Sequence, residues 1–106
     1  MNFIKNLFGT NKNDEKESLV EILKKGATLV DVRTEAEFAS GSVNGAINIP
    51  LDKLHLNIAK LKNKDNIILF CRSGNRSEQA KRILQSHGFK NVINGGSWMD
   101  VARYVN

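Results

Sequence analysis

Ile67-Ile68-Leu69-Phe70-Cys71-Arg72-Ser73-Gly74-Asn75-Arg76-Ser77 is the stretch that decides the fold. Four apolar residues carry the only cysteine of the 106-residue chain into a short polar loop with two arginines and a glycine. A helical pattern follows over residues 77–87, with Ala80, Ile83 and Leu84 facing inward and Gly88 as its stop. Strand, loop and helix in that order aim the loop amides and the first helical turn at one spot, an anion-binding concavity. A thiol placed there has a lowered pKa and reacts as thiolate. Cys71 is therefore the candidate nucleophile.

The same alternation extends outward from this unit. Two capping boxes, Ser18-Leu19-Val20-Glu21 and Thr34-Glu35-Ala36-Glu37, open helices that close at Gly26 and near Gly41. Residues 27–32 read as a buried strand ending in Asp31-Val32-Arg33, and 46–49 as a short strand stopped by Pro50. Residues 66–70 form the central strand and 91–93 the last one. Residues 51–61 contain an amphipathic helix with Leu54, Ile58 and Leu61 in phase. Gly95-Gly96 reads as a turn before a terminal helix over 98–105. Strands alternating with helices predict an α/β fold, a mostly parallel sheet with helices on both faces. Ligand sites in such sheets lie beyond the carboxyl ends of the strands. Cys71, Asp31 and Arg33 all fall at such ends.

Hydrophobic residues make up 41% and charged residues 25% of the chain, an ordinary balance for one globular domain. A lone cysteine excludes an internal disulfide framework and any multi-cysteine metal site. It fits a reducing compartment, and a cytoplasmic location is expected. His55 and His87 are isolated, so no metal is expected. The net charge of +5 comes from scattered lysines without interleaved aromatics, so nucleic acid is not an expected partner. The positive field favours small anionic substrates modestly.

Residues 1–9 carry Phe3, Ile4, Leu7 and Phe8 at helical spacing. The stretch is too short for a signal-peptide core or a membrane span. A terminal turn packed on the domain or a partner is the favoured reading, and contact of residues 1–9 with a membrane surface the disfavoured one. The polar residues 10–17 read as a linker. Residues 1–17 are thus expected to form an N-terminal extension and 18–106 the folded domain.

Within the loop, Arg76 precedes the helix and can fold its planar fork over a bound anion. Arg72 either points outward or joins the site. Gly74 suits a tight turn with positive φ. Ser77 reads as the helix N-cap. Ser73 and Asn75 either hydrogen-bond the anion or hold the turn.

Several further pieces occur in order along the chain: Leu29-Val30-Asp31-Val32-Arg33, Glu37-Phe38, Gly41-Ser42-Val43-Asn44-Gly45-Ala46-Ile47-Asn48-Ile49-Pro50, then the cysteine loop, Gly88-Phe89 and Gly95-Gly96. In this combination the chain resembles the single-domain rhodaneses, a sulfurtransferase family, over roughly residues 18–104. The resemblance implies a five-stranded parallel sheet flanked by helices and a reaction without a cofactor. It makes Cys71 the catalytic cysteine, which takes a sulfane sulfur from a small anionic donor such as thiosulfate and forms a persulfide. The sulfur then passes to cyanide or to a thiol, free or on a protein. Arg72, Ser73, Gly74, Asn75, Arg76 and Ser77 would cradle the persulfide. Asp31 and Arg33 would brace the site, and Glu37 is an acid able to pair with Arg33.

Two positions depart from the family pattern. Ser42 stands where histidine is frequent, and Trp98 comes two residues earlier than the usual tryptophan. Two other functions compete with sulfur transfer. Phosphatases and arsenate reductases of this fold place the arginine six positions after the cysteine, whereas Arg76 is five after Cys71. The shorter loop suits a sulfur atom better than a tetrahedral oxyanion. A sulfur-carrier or regulatory binding module is the alternative from a different class.

Overall fold

The structure, a computed structural model, describes residues 12–105. The readings made for residues 1–9 lie outside the described residues. Helix α1 (Lys12–Lys25) leads into strand β1 (Thr28–Asp31), helix α2 (Glu35–Ala39) and the two-residue strand β2 (Ile47–Asn48). A 3-10 helix (Leu51–Leu56) and helix α3 (Ile58–Leu61) precede the central strand β3 (Ile67–Cys71). Helix α4 (Asn75–Ser86), strand β4 (Val92–Ser97) and helix α5 (Trp98–Val105) complete the chain.

The strands form one parallel sheet in the order β2-β1-β3-β4. Among the described residues it has four strands, one fewer than the five expected. Residues 12–17, expected to be linker, are helical instead, and the helix starts six residues before Ser18. Glu15, Lys16 and Glu17 are good helix formers, so the helix of the apolar stretch propagates backward through them. Ser18 is consequently inside the helix and does not cap it. The second capping box forms as the sequence predicts. The Thr34 hydroxyl accepts from the Glu37 amide, and the Glu37 carboxylate accepts from the Thr34 amide.

Side-chain alternation along β3 divides the core in two. Ile67, Leu69 and Cys71 join Val30, Leu54, Leu61, Ala80 and Leu84 on the face covered by the 3-10 helix, α3 and α4. Ile68 and Phe70 join Leu19, Leu29, Val43 and Val101 on the face covered by α1 and α5. With both faces covered, β3 is buried along its whole length.

Two boundaries differ from the sequence reading for local reasons. The helix expected over 51–61 breaks at Asn57, whose side-chain amide donates to the Lys53 carbonyl at 2.9 Å. That bond competes with the helical ladder. Strand β4 runs through Gly95-Gly96 where a turn is expected. Leu69 pairs with Asn94 and Phe70 with Gly96, which leaves Gly95 as the extra residue of a bulge. A Cβ on Gly95 would lie 2.8 Å from Val101 Cγ2 and 3.0 Å from Ile68 Cγ2. Only glycine lets α5 fold back this closely onto the sheet.

Candidate active site

Cys71 closes β3, paired with Ser97 of β4, and is 1% exposed. The chain then turns sharply. Gly74 adopts φ +101°, a left-handed conformation natural to glycine, and caps α4 at its N-terminus. This turn brings the Gly74 N–H to 3.0 Å from Cys71 Sγ. Ser77 Oγ lies 3.4 Å from the same sulfur. Burial pushes the thiol pKa up, but hydrogen bonds from the Ser77 hydroxyl and the Ser77, Ser73 and Gly74 amides outweigh it. The net shift is below the ordinary thiol value. Neutral donors on a helix N-terminus thus favour the anionic form of the sulfur.

Ser77 is fully buried in the first turn of α4, three residues inside the cap, so the N-cap role read from sequence belongs to Gly74. Its hydroxyl reaches Asn94 Oδ1 on β4 at 2.6 Å. Asn94 also holds the loop from the other side. Its Nδ2 donates to the Gly74 carbonyl at 3.1 Å and to Glu78 Oε1 at 3.0 Å. The Gly96 N–H donates to Asn94 Oδ1 at 2.9 Å.

Arg76 does not extend its fork over the sulfur. Both terminal nitrogens grip Glu37 of α2, at 2.7 and 3.0 Å. This bidentate pair corrects the expectation that Glu37 meets Arg33. The hydrogen bonds from Arg76 and from Thr34 hold the Glu37 carboxyl at about 2, well below the ordinary 4.5. Arg72 is exposed and makes no ion pair among the described residues, while Ser73 and Asn75 face solvent beside it.

Arg33 pairs instead with Asp31, and both are buried. Asp31 accepts from the Arg33 amide at 2.9 Å, the Arg33 guanidinium at 2.7–3.0 Å and the Ser42 hydroxyl at 2.7 Å. Ser42 thus gives the buried pair a hydroxyl partner. The Arg33 guanidinium also donates to the Gly41 carbonyl and stacks 4.8 Å from the centroid of Trp98. The early tryptophan therefore caps the ion pair from the first turn of α5. Charge, hydrogen bonds and aromatic face together satisfy a pair that would be costly to bury alone.

Cys71 thus sits at the sheet's carboxyl edge under a glycine-tightened turn with an inward amide. Residues 15–100 match the rhodanese-like domain family. The chain belongs to that family. A rhodanese from Escherichia coli solved with anions superposes with a TM-score of 0.67 and 35% identity, covering 73% of this chain and 93% of that one. The thiosulfate sulfurtransferase PspE of Escherichia coli is 37% identical over 75 residues, 69% of this chain and 72% of that protein. A putative mitochondrial thiosulfate sulfurtransferase of Schizosaccharomyces pombe is 33% identical over 90 residues. That match takes in 72% of this chain but only 63% of the relative's length.

In this rhodanese-like domain the cradle gathers Cys71, Gly74 and Ser77 directly at the sulfur. Asp31 and Arg33 form a separate buried pair at the same sheet edge, with Trp98 half-buried against it. Asn94 is the site residue that sequence reading passes over, because the last strand reads as ending at Ile93. Its polar side chain directly before Gly95-Gly96 is the available signal.

Proposed function

We propose that this rhodanese-like domain is a sulfurtransferase of the thiosulfate sulfurtransferase type. The Cys71 thiolate attacks the outer sulfur of thiosulfate or of a persulfide donor. The donor's sulfur–sulfur bond breaks, its electron pair leaves with sulfite or the donor thiolate, and Cys71 becomes a persulfide. A cyanide or thiol acceptor then attacks the outer sulfur. The Cys71–sulfur bond breaks and the thiolate returns. No cofactor enters this cycle.

The observation that carries the reading is the Gly74 amide at 3.0 Å from a buried, lowered-pKa Cys71 sulfur at the mouth of α4. The amides of residues 72–77 hold the persulfide, and Asp31 with Arg33 keeps the sheet edge rigid beside it. Arg76, already neutralised by Glu37, anchors the loop. Arg72 supplies the unmatched positive charge at the mouth. Cytoplasm is the proposed location, on the single unpaired cysteine.

The test is thiosulfate:cyanide sulfurtransfer by the wild type and by Cys71→Ser. Turnover by the wild type and its loss in a folded Cys71→Ser protein support the reading. Equal turnover by both proteins contradicts it.

A further inference from the structure

The hydrogen bonds around Asn94 leave no freedom in its orientation. A backbone N–H can only donate and a carbonyl can only accept. Gly96 N–H therefore faces Oδ1, and the Gly74 carbonyl faces Nδ2. Oδ1 has no proton. The single proton of the Ser77 hydroxyl must then lie on the 2.6 Å line to Asn94. Toward Cys71, 3.4 Å away, Ser77 presents a lone pair. While the sulfur is a thiol, its S–H donates to Ser77. When the sulfur is an anion, that contact favours it only if the hydroxyl turns from Asn94 to the sulfur.

We propose that Asn94 is a positioning residue that competes with the Cys71 sulfur for the Ser77 hydroxyl proton. Ser77 is a two-position rotor: toward Asn94 in the thiol form, toward Cys71 in the anionic form. No covalent bond changes in the turn, and the thiol proton leaves to solvent. After the turn Oδ1 keeps the Gly96 N–H, so the cost of switching is one hydrogen bond. Asn94 thereby keeps the resting thiol less acidic than the bare cradle would make it. The inference concerns titration of the thiol and is independent of sulfur transfer.

The charged groups around this rotor are paired, apart from the exposed Arg72 of the loop. Arg76 of α4 is held by Glu37 of α2, and Asp31 of β1 by Arg33. Glu78 of α4 accepts from Asn94 and pairs with Arg82. Arg72 is exposed in the loop. None of them receives the Ser77 proton.

The experiment is the pH dependence of iodoacetamide alkylation in a double-mutant cycle of Asn94→Ala and Ser77→Ala. Asn94→Ala alone lowers the midpoint by roughly 0.5–1 pH unit, the worth of one competing hydrogen bond. Ser77→Ala raises it, and adding Asn94→Ala to Ser77→Ala then shifts it no further. A residue that merely braced the loop would raise the midpoint when removed. A raised midpoint in Asn94→Ala, or an equal shift in both backgrounds, overturns the proposal. A second readout does not depend on Asn94→Ala folding. The chain has one cysteine, so its infrared S–H stretch is a single band. At a pH where the thiol is protonated, that band lies at lower frequency in the wild type than in Ser77→Ala. Equal frequencies overturn the proposal.

Discussion

Arg76 and Glu37 join two ends of the site through a two-pronged ion pair at 2.7 and 3.0 Å. Glu37 is fixed in turn by Thr34, through the amide at 3.0 Å and the hydroxyl at 3.0 Å. The cysteine loop is thus tied to the capping box of α2, with Arg76 and Glu37 separated by 39 positions in sequence.

This tie has a pH signature. The Glu37 carboxyl titrates at about 2 in the folded protein, against an ordinary 4.5. Between those values the unfolded chain binds the extra proton, so stability rises with pH across the window. The contribution is fully present above about 4.5 and is lost as pH falls toward about 2. Thermal unfolding followed from neutral pH into that window checks it. The expected result is a shallower acid loss of Tm in Glu37→Gln than in the wild type. Identical slopes would remove Glu37 from the account.

The pair also decides what the two loop arginines do. Arg76→Ala removes an anchor of the loop, so specificity constants fall about tenfold for thiosulfate and for an uncharged persulfide donor alike. Arg72→Ala removes an unmatched charge at the mouth. It slows thiosulfate by roughly two- to fivefold, the scale of one exposed charge contact, and leaves the neutral donor unchanged. A selective loss of thiosulfate in Arg76→Ala would return the charge-reading role to Arg76.

Cys71 is expected to alkylate with a midpoint below the free-thiol value of about 8.5. Hydrogen bonds from Ser77 and from the Ser73, Ser77 and Gly74 amides favour the thiolate over the opposing effect of burial. Iodoacetamide rates across pH measure this directly. A midpoint at or above the free value would mean that burial wins.

Gly95→Ala tests how α5 is docked. The new methyl would lie within 2.8 Å of Val101 and 3.0 Å of Ile68, both fully buried. Overpacking of this kind costs about 1–3 kcal/mol. Denaturant unfolding is expected to show that loss. An unchanged midpoint would mean that α5 shifts freely from the sheet.

The cysteine unit was legible because its signals are local. An apolar run, a glycine and a helical period specify strand, turn and helix within residues 67–86, and the structure keeps that order. The Thr34 capping box was legible for the same reason. What failed depended on distant partners. Whether Glu37 meets Arg33 or Arg76 is settled by the sheet, which places the ends of β1 and β3 side by side. Ser77 is a good cap by type, but Gly74 alone tolerates the φ of +101° at the turn, so the helix starts earlier. Gly95-Gly96 resembles a turn by composition, yet Gly95 is there to let Val101 approach β3. No local pattern reveals that contact.

Intact mass spectrometry after incubation with thiosulfate tests sulfur transfer through Cys71 most directly. The chain has a single cysteine, so any covalently held sulfane sulfur has one thiol to occupy. The expected result is a gain of one sulfur atom by the wild type, reversed by cyanide, and no gain by Cys71→Ser. An unchanged wild-type mass, or an equal gain by Cys71→Ser, would contradict it.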